Sequence, residues 1–301
     1  MIKRKKIALL TLLVIILSTA LIISTHLLTK EKSEVTKTET SQDEEKIPEQ
    51  VDVPFSKHKV IGQSVEGREI ESYTFGNGDT TLLFIGGIHG GYEWNSVLLA
   101  YKFIDELEAK KINVPSSLKI EIIPNLNPDG VYKVVGKEGR FIADEITLDT
   151  KNGEGRFNSN GIDLNRNFDC KWQPTSTWRN KIVSAGTSAF SEPESQTLKK
   201  LVEETKPQAV VFWHSQANAV YASECEKGVL PETLKIMNTY ANSADYKAVA
   251  KFDAYPVSGD AEGWLASINI PAITVELSSH EGIDWEKNKK GFEAMIGLYD
   301  K

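Results

Sequence analysis

The sequence has no excess of positive charge. Lysine and arginine number 35 against 42 aspartate and glutamate residues, which gives the 301 residues a formal net charge of −7. Such a balance does not favour contact with a phosphate backbone and argues against a nucleic-acid partner. The sequence also lacks an internal repeat and, beyond residue 52, any second linker. These absences favour one large domain at residues 53–301.

Cysteine is nearly absent, since Cys170 and Cys225 are the only two. In an oxidising compartment an even pair can close one disulfide bridge. A bridge is therefore expected here. Two separate thiols are the alternative, because the sequence alone does not fix the geometry.

The N-terminal residues differ in composition from the rest. Residues 1–6 include four basic residues, and residues 7–29 contain no aspartate, glutamate, lysine or arginine. This stretch exceeds the roughly 7–15 apolar residues of a signal-peptide core and approaches the roughly 20 that span a bilayer. We expect residues 1–29 to be a single-pass membrane anchor, with the basic end cytoplasmic and the remainder outside the cell. A cleaved signal peptide, and hence secretion, is the alternative.

The chain after the anchor divides into a polar segment and a patterned domain. Residues 30–52 contain almost no large apolar side chain and predict a disordered stalk. Strand and helix patterns then alternate, which predicts a single α/β domain with a mixed, mostly parallel central sheet flanked by helices. Strands are predicted at 69–75, 81–86, 118–124, 209–213 and 272–277, and helices at 92–110, 191–205, 232–243 and 285–299.

Two local signals refine this prediction. The glycine-rich segment Gly76–Asp79 lies between the first two predicted strands and predicts a hairpin there. Ligands of α/β sheets collect beyond the carboxyl ends of the parallel strands. Residues that suit metal binding or catalysis follow several of these predicted strands.

Two histidines and a glutamate are candidate metal ligands. His89 follows a predicted strand, and Glu93 lies four residues later at the start of a helix. A helical turn would bring both side chains to one face, close enough to share an ion. His214 follows the buried strand at 209–213, and two histidines with one carboxylate leave a position open for water, as in catalytic zinc sites. The alternatives are an exposed His89 in a glycine-rich turn and a His214 that is merely buried in the core.

Glu276 lies inside the predicted strand at 272–277, where a carboxylate is costly to bury without a function. Near a metal, it could act as a general base. A salt-bridged glutamate at a strand end is the alternative. Two arginines, Arg156 and Arg166, occur with several asparagines in residues 155–168. Guanidinium groups bind carboxylates in pairs of hydrogen bonds and stabilise oxyanions.

Together these segments resemble the carboxypeptidase A type of zinc peptidases, and especially its bacterial cell-wall branch. The resemblance extends from about residue 60 to residue 276 and includes Ile61–Glu69, Asn127–Gly130 and Asp163–Asn167 in the family's order. It implies a zinc carboxypeptidase-like domain with one zinc ion per chain.

The resemblance also implies roles for individual residues. The zinc ligands would be His89, Glu93 and His214, and Glu276 would be the general base. Arg156 would polarise the scissile carbonyl. Asn165 and Arg166 would bind the terminal carboxylate of the substrate.

Two features depart from the family's pattern. The gap between His89 and Glu93 is one residue longer than usual, and the place of the mobile tyrosine of the digestive members holds no tyrosine. Tyr255 is nearby but is not given that role. Asp260 and Glu262 are instead expected to line the pocket, where acidic groups suit a substrate with a free amine, such as diaminopimelate or lysine.

The expected function is zinc-dependent hydrolysis of an amide bond near the C-terminus of a peptide, with a peptidoglycan-derived peptide as substrate. One alternative is a zinc-dependent deacylase of N-acyl amino acids. Another is a non-catalytic wall-binding module on the same fold. Loss of a ligand or of the base would favour the module, and this sequence has lost neither.

Overall fold

An eight-stranded mixed sheet organises residues 56–300, the part of the chain that the computed structural model describes. The predicted anchor at residues 1–29 and the predicted stalk at residues 30–52 lie outside the described residues. Within residues 56–300, no helix combines the length and the apolar character needed to cross a membrane.

The secondary structure alternates between strands and helices along most of the domain. The strands are β1 (Ser56–Gln63), β2 (Glu69–Phe75), β3 (Thr80–Ile85), β4 (Leu118–Ile123), β5 (Thr175–Trp178), β6 (Lys181–Ser184), β7 (Ala209–Ser215), β8 (Ala219–Ala222), β9 (Glu224–Cys225), β10 (Gly228–Val229), β11 (Lys247–Val249) and β12 (Ala272–Leu277). The helices are α1 (Trp94–Glu108), α2 (Pro128–Val135), α3 (Pro193–Thr205), α4 (Pro231–Ala244), α5 (Ala261–Ser267) and α6 (Trp285–Tyr299). Short 3₁₀ helices lie at Gly90–Glu93, Ala143–Glu145 and Leu164–Arg166.

The main sheet has the order β1-β2-β4-β3-β7-β12-β8-β11. Its centre is parallel, since β3 pairs with β4 and β7, and β7 pairs with β12, all in the same direction. The pairs β1–β2, β2–β4 and β12–β8 are antiparallel. The predicted α/β class with a mostly parallel sheet is confirmed.

The predicted hairpin between β2 and β3 is wrong, because β4 lies between these two strands. The turn after β2 instead docks on the start of β4, where the N–H of Gly78 donates to the carbonyl of Leu118 at 3.0 Å. Strand β3 is buried along nearly its whole length and takes a parallel neighbour on each side. The antiparallel neighbour of β2 on its other side is β1, which precedes it in the chain.

Apolar side chains fill both faces of the sheet. Along β7, Val211 and Trp213 join the core that includes Phe103 and Phe292, whereas Val210 and Phe212 join the core on the other face. Alternate residues of a strand point to opposite faces, so a strand that is apolar throughout serves two cores. Helices α1, α4 and α6 contribute to the first core, and α3 and α5 contribute to the second.

The parallel arrangement brings the carboxyl ends of β3, β7 and β12 together at one edge of the sheet. The loop after β3 is packed closely against a neighbouring loop. Gly90 has a φ of 48°, and a Cβ atom at this position would lie 2.6 Å from the carbonyl oxygen of Gly155. Only glycine fits such an approach, so the loop that carries His89 is fixed in place.

Candidate active site

The three predicted metal ligands lie together at the carboxyl ends of β3 and β7. His89 precedes the 3₁₀ helix Gly90–Glu93, which ends at Glu93, and His214 lies within β7. All three residues are buried, and one potential ligand atom of each lies within 4.8 Å of the others. The longer gap between His89 and Glu93 is accommodated because the intervening turn is helical.

The charges of this cluster suit a cation. Nδ1 of His214 lies 3.0 Å from Oε2 of Glu93, and the rings of His89 and His214 have their centroids 4.9 Å apart. Burial alone would lower the pKa of His214, but the Glu93 and Glu262 carboxylates raise it well above its ordinary value. Two imidazoles and one carboxylate form the donor set of many catalytic zinc sites, so these residues fit a zinc ion.

Further carboxylates adjoin both histidines. Oδ1 of Asp163 lies 3.6 Å from Nδ1 of His89. On the other side, Oε1 of Glu262 lies 3.2 Å from Nε2 of His214. The hydroxyl of Thr274 donates to the same Glu262 oxygen at 2.9 Å. Neither ring nitrogen has a hydrogen-bond partner among the described residues, so these carboxylates act on the two imidazoles through their charge.

Glu276 lies beside the cluster on β12. It is in register with His214 in the parallel β7–β12 pair, so both side chains lie on the same face of the sheet. Desolvation by burial raises the pKa of Glu276 to about 8, and the neighbouring Glu93 carboxylate adds to this shift. A carboxyl group whose pKa lies near neutrality is suited to accept a proton and return it.

Arg156 is buried against the same cluster. Its Nε and Nη2 both donate to Oδ2 of Asp163, at 3.0 and 2.9 Å, and its Nη1 lies 3.9 Å from Oε1 of Glu93. The guanidinium carbon also lies 4.5 Å from the centroid of the Trp178 ring. These contacts fix the guanidinium, while Nη1 has no hydrogen-bond partner among the described residues. This end of the group can donate to an oxygen of a bound substrate.

The predicted carboxylate-binding residues, Asn165 and Arg166, lie in the 3₁₀ helix Leu164–Arg166 and are buried. Oδ1 of Asn165 accepts a hydrogen bond of 2.8 Å from the N–H of Ala261, which joins this turn to the start of α5. Nε and Nη2 of Arg166 donate to the carbonyl of Thr177, at 3.3 and 3.1 Å. Among residues 56–300, Arg166 forms no ion pair with a carboxylate, so its charge is available to a ligand.

The two acidic residues predicted to line the pocket have different surroundings. Asp260 caps α5, since its Oδ2 accepts a hydrogen bond of 2.7 Å from the N–H of Gly263. Burial, followed by the Glu262 charge, raises the pKa of Asp260 to about 6. Glu262 is only 4% exposed and contacts His214 directly. Of the two, Glu262 therefore lies closer to the candidate ligands.

Four polar residues that surround the cluster had no role assigned from the sequence. Oη of Tyr92 accepts a hydrogen bond of 2.8 Å from Nη2 of Arg179 and lies 3.0 Å from Nε2 of His280. Nδ1 of His280 in turn lies 2.8 Å from Oγ of Ser215, whose backbone N–H donates to Glu93 at 3.2 Å. These residues come from distant segments of the chain, and no local pattern pointed to them.

Tyr255 also lies at the site, although the sequence interpretation gave it no role. Its ring packs with the small apolar cluster that includes Tyr92 and Trp178. Burial raises the pKa of Tyr255, and the positive charges of Arg166 and Arg156 oppose this shift. Tyr255 therefore places an aromatic hydroxyl among the charged groups of the site. It lies a few residues before the segment in which the sequence analysis looked for the family's mobile tyrosine.

The expected disulfide bridge is confirmed. Cys170 and Cys225 are bonded, with their Cα atoms 6.1 Å apart. The bridge links the segment that follows Arg166 to the short strand β9. The carbonyl of Cys170 accepts a hydrogen bond of 2.8 Å from the N–H of Gly259, just before α5. The bridge therefore stabilises the loops next to the candidate substrate-binding residues.

The fold and the site together define a class of protein. A mixed α/β sheet carries two histidines and a glutamate at the ends of parallel strands, with a second glutamate of raised pKa beside them. These are the parts of a metal-dependent hydrolase that activates water.

The chain belongs to the zinc carboxypeptidase (Peptidase_M14) family, whose sequence model matches residues 52–292. It is accordingly a zinc metallocarboxypeptidase-type hydrolase, and zinc is the metal that the family implies. The resemblance seen in the sequence is thereby confirmed.

Several proteins of known or assigned activity are similar to the chain. It is 22% identical to the γ-D-glutamyl-L-diamino acid endopeptidase 1 of Lysinibacillus sphaericus, over 75% of this chain and 61% of that protein. It is 24% identical to the murein peptide amidase A of Escherichia coli K12, over 65% of this chain and 70% of that protein. The crystal structure of the murein-tripeptide amidase of Escherichia coli O157 shares the fold, with a TM-score of 0.57 and 23% identity over 81% of this chain and 92% of that one.

Proposed function

We propose that this protein hydrolyses an amide bond near the C-terminus of a cell-wall peptide, with one zinc ion per chain. The observation that carries the proposal is the cluster of His89, Glu93 and His214 within 4.8 Å of one another, with Glu276 in register beside His214. When bound, zinc would supply Lewis acidity that polarises the carbonyl and makes water a stronger acid.

Glu276 is the proposed general base. Its raised pKa suits a group that takes a proton from the attacking water and then delivers it to the leaving nitrogen. Both steps use the same carboxylate oxygen atoms, so one residue serves as base and then as acid. Its position on β12, in register with His214, keeps it next to the metal ligands.

Arg156 is proposed to bind the scissile carbonyl oxygen as negative charge develops there. Asp163 holds its Nε and Nη2, so the group is oriented before the substrate arrives. A donor fixed in advance stabilises an oxyanion without the cost of reorganisation. Asn165 and Arg166 are proposed to bind the terminal carboxylate, since Arg166 has no carboxylate partner of its own among the described residues.

The proposed substrate class rests on charge and on relatives. Glu262 and Asp260 place carboxylates beside the site, which would favour a substrate with a free amine. Relatives are named for a γ-D-glutamyl-L-diamino acid bond and for murein peptides. A wall peptide that ends in diaminopimelate or lysine combines a terminal carboxylate with such an amine.

Hydrolysis of defined peptides tests this proposal. The full chain would be incubated with synthetic wall peptides that end in diaminopimelate, lysine or alanine, with and without a chelator, and the products identified by mass spectrometry. We expect cleavage next to a terminal diamino acid that chelation abolishes and added zinc restores. Cleavage of N-acyl amino acids but of no peptide would favour the deacylase instead, and binding without any cleavage would favour the wall-binding module.

A further inference from the structure

Two arginines near the site have no carboxylate partner within the described residues. Arg68, Arg140 and Arg156 each form an ion pair with an aspartate. Arg166 and Arg179 form none among residues 56–300. Arg166 already has a proposed partner in the terminal carboxylate of the substrate. The charge of Arg179 is not explained by the proposed function.

Arg179 lies on the rim of the site. It follows β5 in the turn that leads to β6, and its side chain is exposed. Its Nη2 donates to Oη of Tyr92 at 2.8 Å, and Tyr92 immediately precedes the metal ligand Glu93. A guanidinium carries five N–H donors, and this is the single hydrogen bond that Arg179 makes within the described residues. Its other donors are therefore accessible at the edge of the site.

Arg156 shares its aromatic neighbours with Arg179. It approaches the rings of both Trp178 and Tyr92, at 4.5 and 5.6 Å from the centroids. Arg179 approaches the same two rings, at 5.3 and 5.9 Å.

On the other side, Nε and Nη2 of Arg166 donate to the carbonyl of Thr177, the residue before Trp178 in β5. Along residues 177–179, Arg166 thus contacts Thr177, Arg156 contacts Trp178, and Arg179 is the next residue. In the proposed function, Arg166 binds the terminal carboxylate and Arg156 binds the scissile carbonyl. A substrate held by these two groups would direct the residue that supplies the carbonyl toward Arg179.

We propose that Arg179 is a specificity-determining residue that binds a carboxylate on the substrate residue contributing the scissile carbonyl. This inference rests on the proposed peptidase function. A carboxylate accepts paired hydrogen bonds from a guanidinium, and the exposed Arg179 keeps donors accessible for such a contact. Peptides with an acidic residue on the acyl side are thus preferred over their neutral counterparts.

Two peptides that differ in a single group test this subsite. They are identical except that the residue before the scissile bond is glutamate in one and glutamine in the other, which changes charge with little change in size. The ratio of kcat/KM for the two peptides is measured for the parent chain, Arg179→Gln, Arg179→Lys and Lys181→Gln. Lys181→Gln is a matched control, because it also removes one positive charge from the same hairpin. Nζ of Lys181 lies 5.4 Å from the centroid of the Trp178 ring.

The parent should prefer the glutamate peptide by about tenfold to a hundredfold, as one charge-assisted contact allows. Arg179→Gln should bring the ratio close to one, Arg179→Lys should keep part of it, and Lys181→Gln should keep most of it. A parent ratio near one, an unchanged ratio in Arg179→Gln, or an equal loss in Lys181→Gln would each overturn the proposal.

Binding separates this inference from the proposed function. The affinities of both peptides are also measured by calorimetry on Glu276→Gln and on the double variant Glu276→Gln/Arg179→Gln. If the parent hydrolyses neither peptide, the proposed function fails, yet the affinity ratio still tests the subsite. A preference for glutamate that depends on Arg179 supports the subsite, and equal affinities for the two peptides overturn it.

Discussion

Glu276 and His214 are direct neighbours in register on the parallel strands β12 and β7. The two strands are hydrogen-bonded to each other, so the backbone of the sheet sets the distance between Glu276 and His214. The central strands of this sheet are buried on both faces. The sheet therefore positions the proposed base relative to the candidate metal ligand His214 without any loop movement.

Removal of a metal ligand should remove the metal. The purified chain should hold about one zinc per molecule, and His214→Ala or His89→Ala should lose most of it, because a site with two ligands binds zinc weakly. Zinc is measured by atomic emission after gel filtration. His58→Ala is the control, since His58 is exposed and pairs with Glu71 on the β1–β2 edge. Stoichiometric zinc in both ligand variants would show that the ion binds elsewhere.

Activity should fall on the acidic side as Glu276 becomes protonated. Burial raises the pKa of its carboxyl group from 4.5 to about 8, and the positive charge of bound zinc favours the carboxylate and lowers the value again. The acidic limb of kcat/KM should therefore have an apparent pKa between these two values, with activity increasing as the pH rises. A limb at or below 4.5 would mean that another group controls it.

The bridge between Cys170 and Cys225 should stabilise the fold. It closes a loop of 55 residues, and the chain-entropy model gives roughly 4 kcal/mol for a loop of that order. Replacing both cysteines with alanine should lower the free energy of unfolding in urea by up to about that amount. Mass spectrometry without reduction should find the linked peptides. Two freely alkylated thiols in the native protein would contradict the bridge.

The proposed topology places residues 30–301 outside the cytoplasm. Protease added to intact spheroplasts should cut within residues 30–52, because that segment has little apolar content, and should release a stable domain. Immunoblots of membrane and soluble fractions report the product. A cytoplasmic protein should stay intact in the same sample. Full protection of the chain until the cells are lysed would contradict this orientation.

The sequence was sufficient for the metal cluster because its residues follow local patterns. His89 lies in the loop that follows β3, His214 lies near the end of β7, and Glu93 is fixed by the helical turn after His89. Parallel strands bring their carboxyl ends to one edge of the sheet. Residues that follow different strands in the sequence were therefore expected to be close together in the fold.

Strand pairings and side-chain contacts between residues far apart in the sequence were not predictable in this way. The glycine-rich turn after β2 was recognised, but a turn does not determine which strand becomes the neighbour, and β4 entered between β2 and β3. Likewise, the contact of Tyr92 with Arg179 joins residues 87 positions apart. Asp260 was expected in the pocket, whereas its carboxylate also completes the N-terminus of α5, a helix of only seven residues that the pattern did not reveal.

Exchange of Glu276 for glutamine tests the central claim most directly. Glutamine keeps the size of the side chain but cannot take a proton from water, and the metal ligands and Arg166 are untouched. Zinc content, peptide affinity and turnover would be measured on one preparation, with Glu121→Gln as a control at a buried glutamate of β4. We expect zinc and affinity to persist while turnover falls by at least about a hundredfold, the lower end of general-base catalysis. Turnover within a few-fold of the parent, with zinc intact, would contradict the role assigned to Glu276.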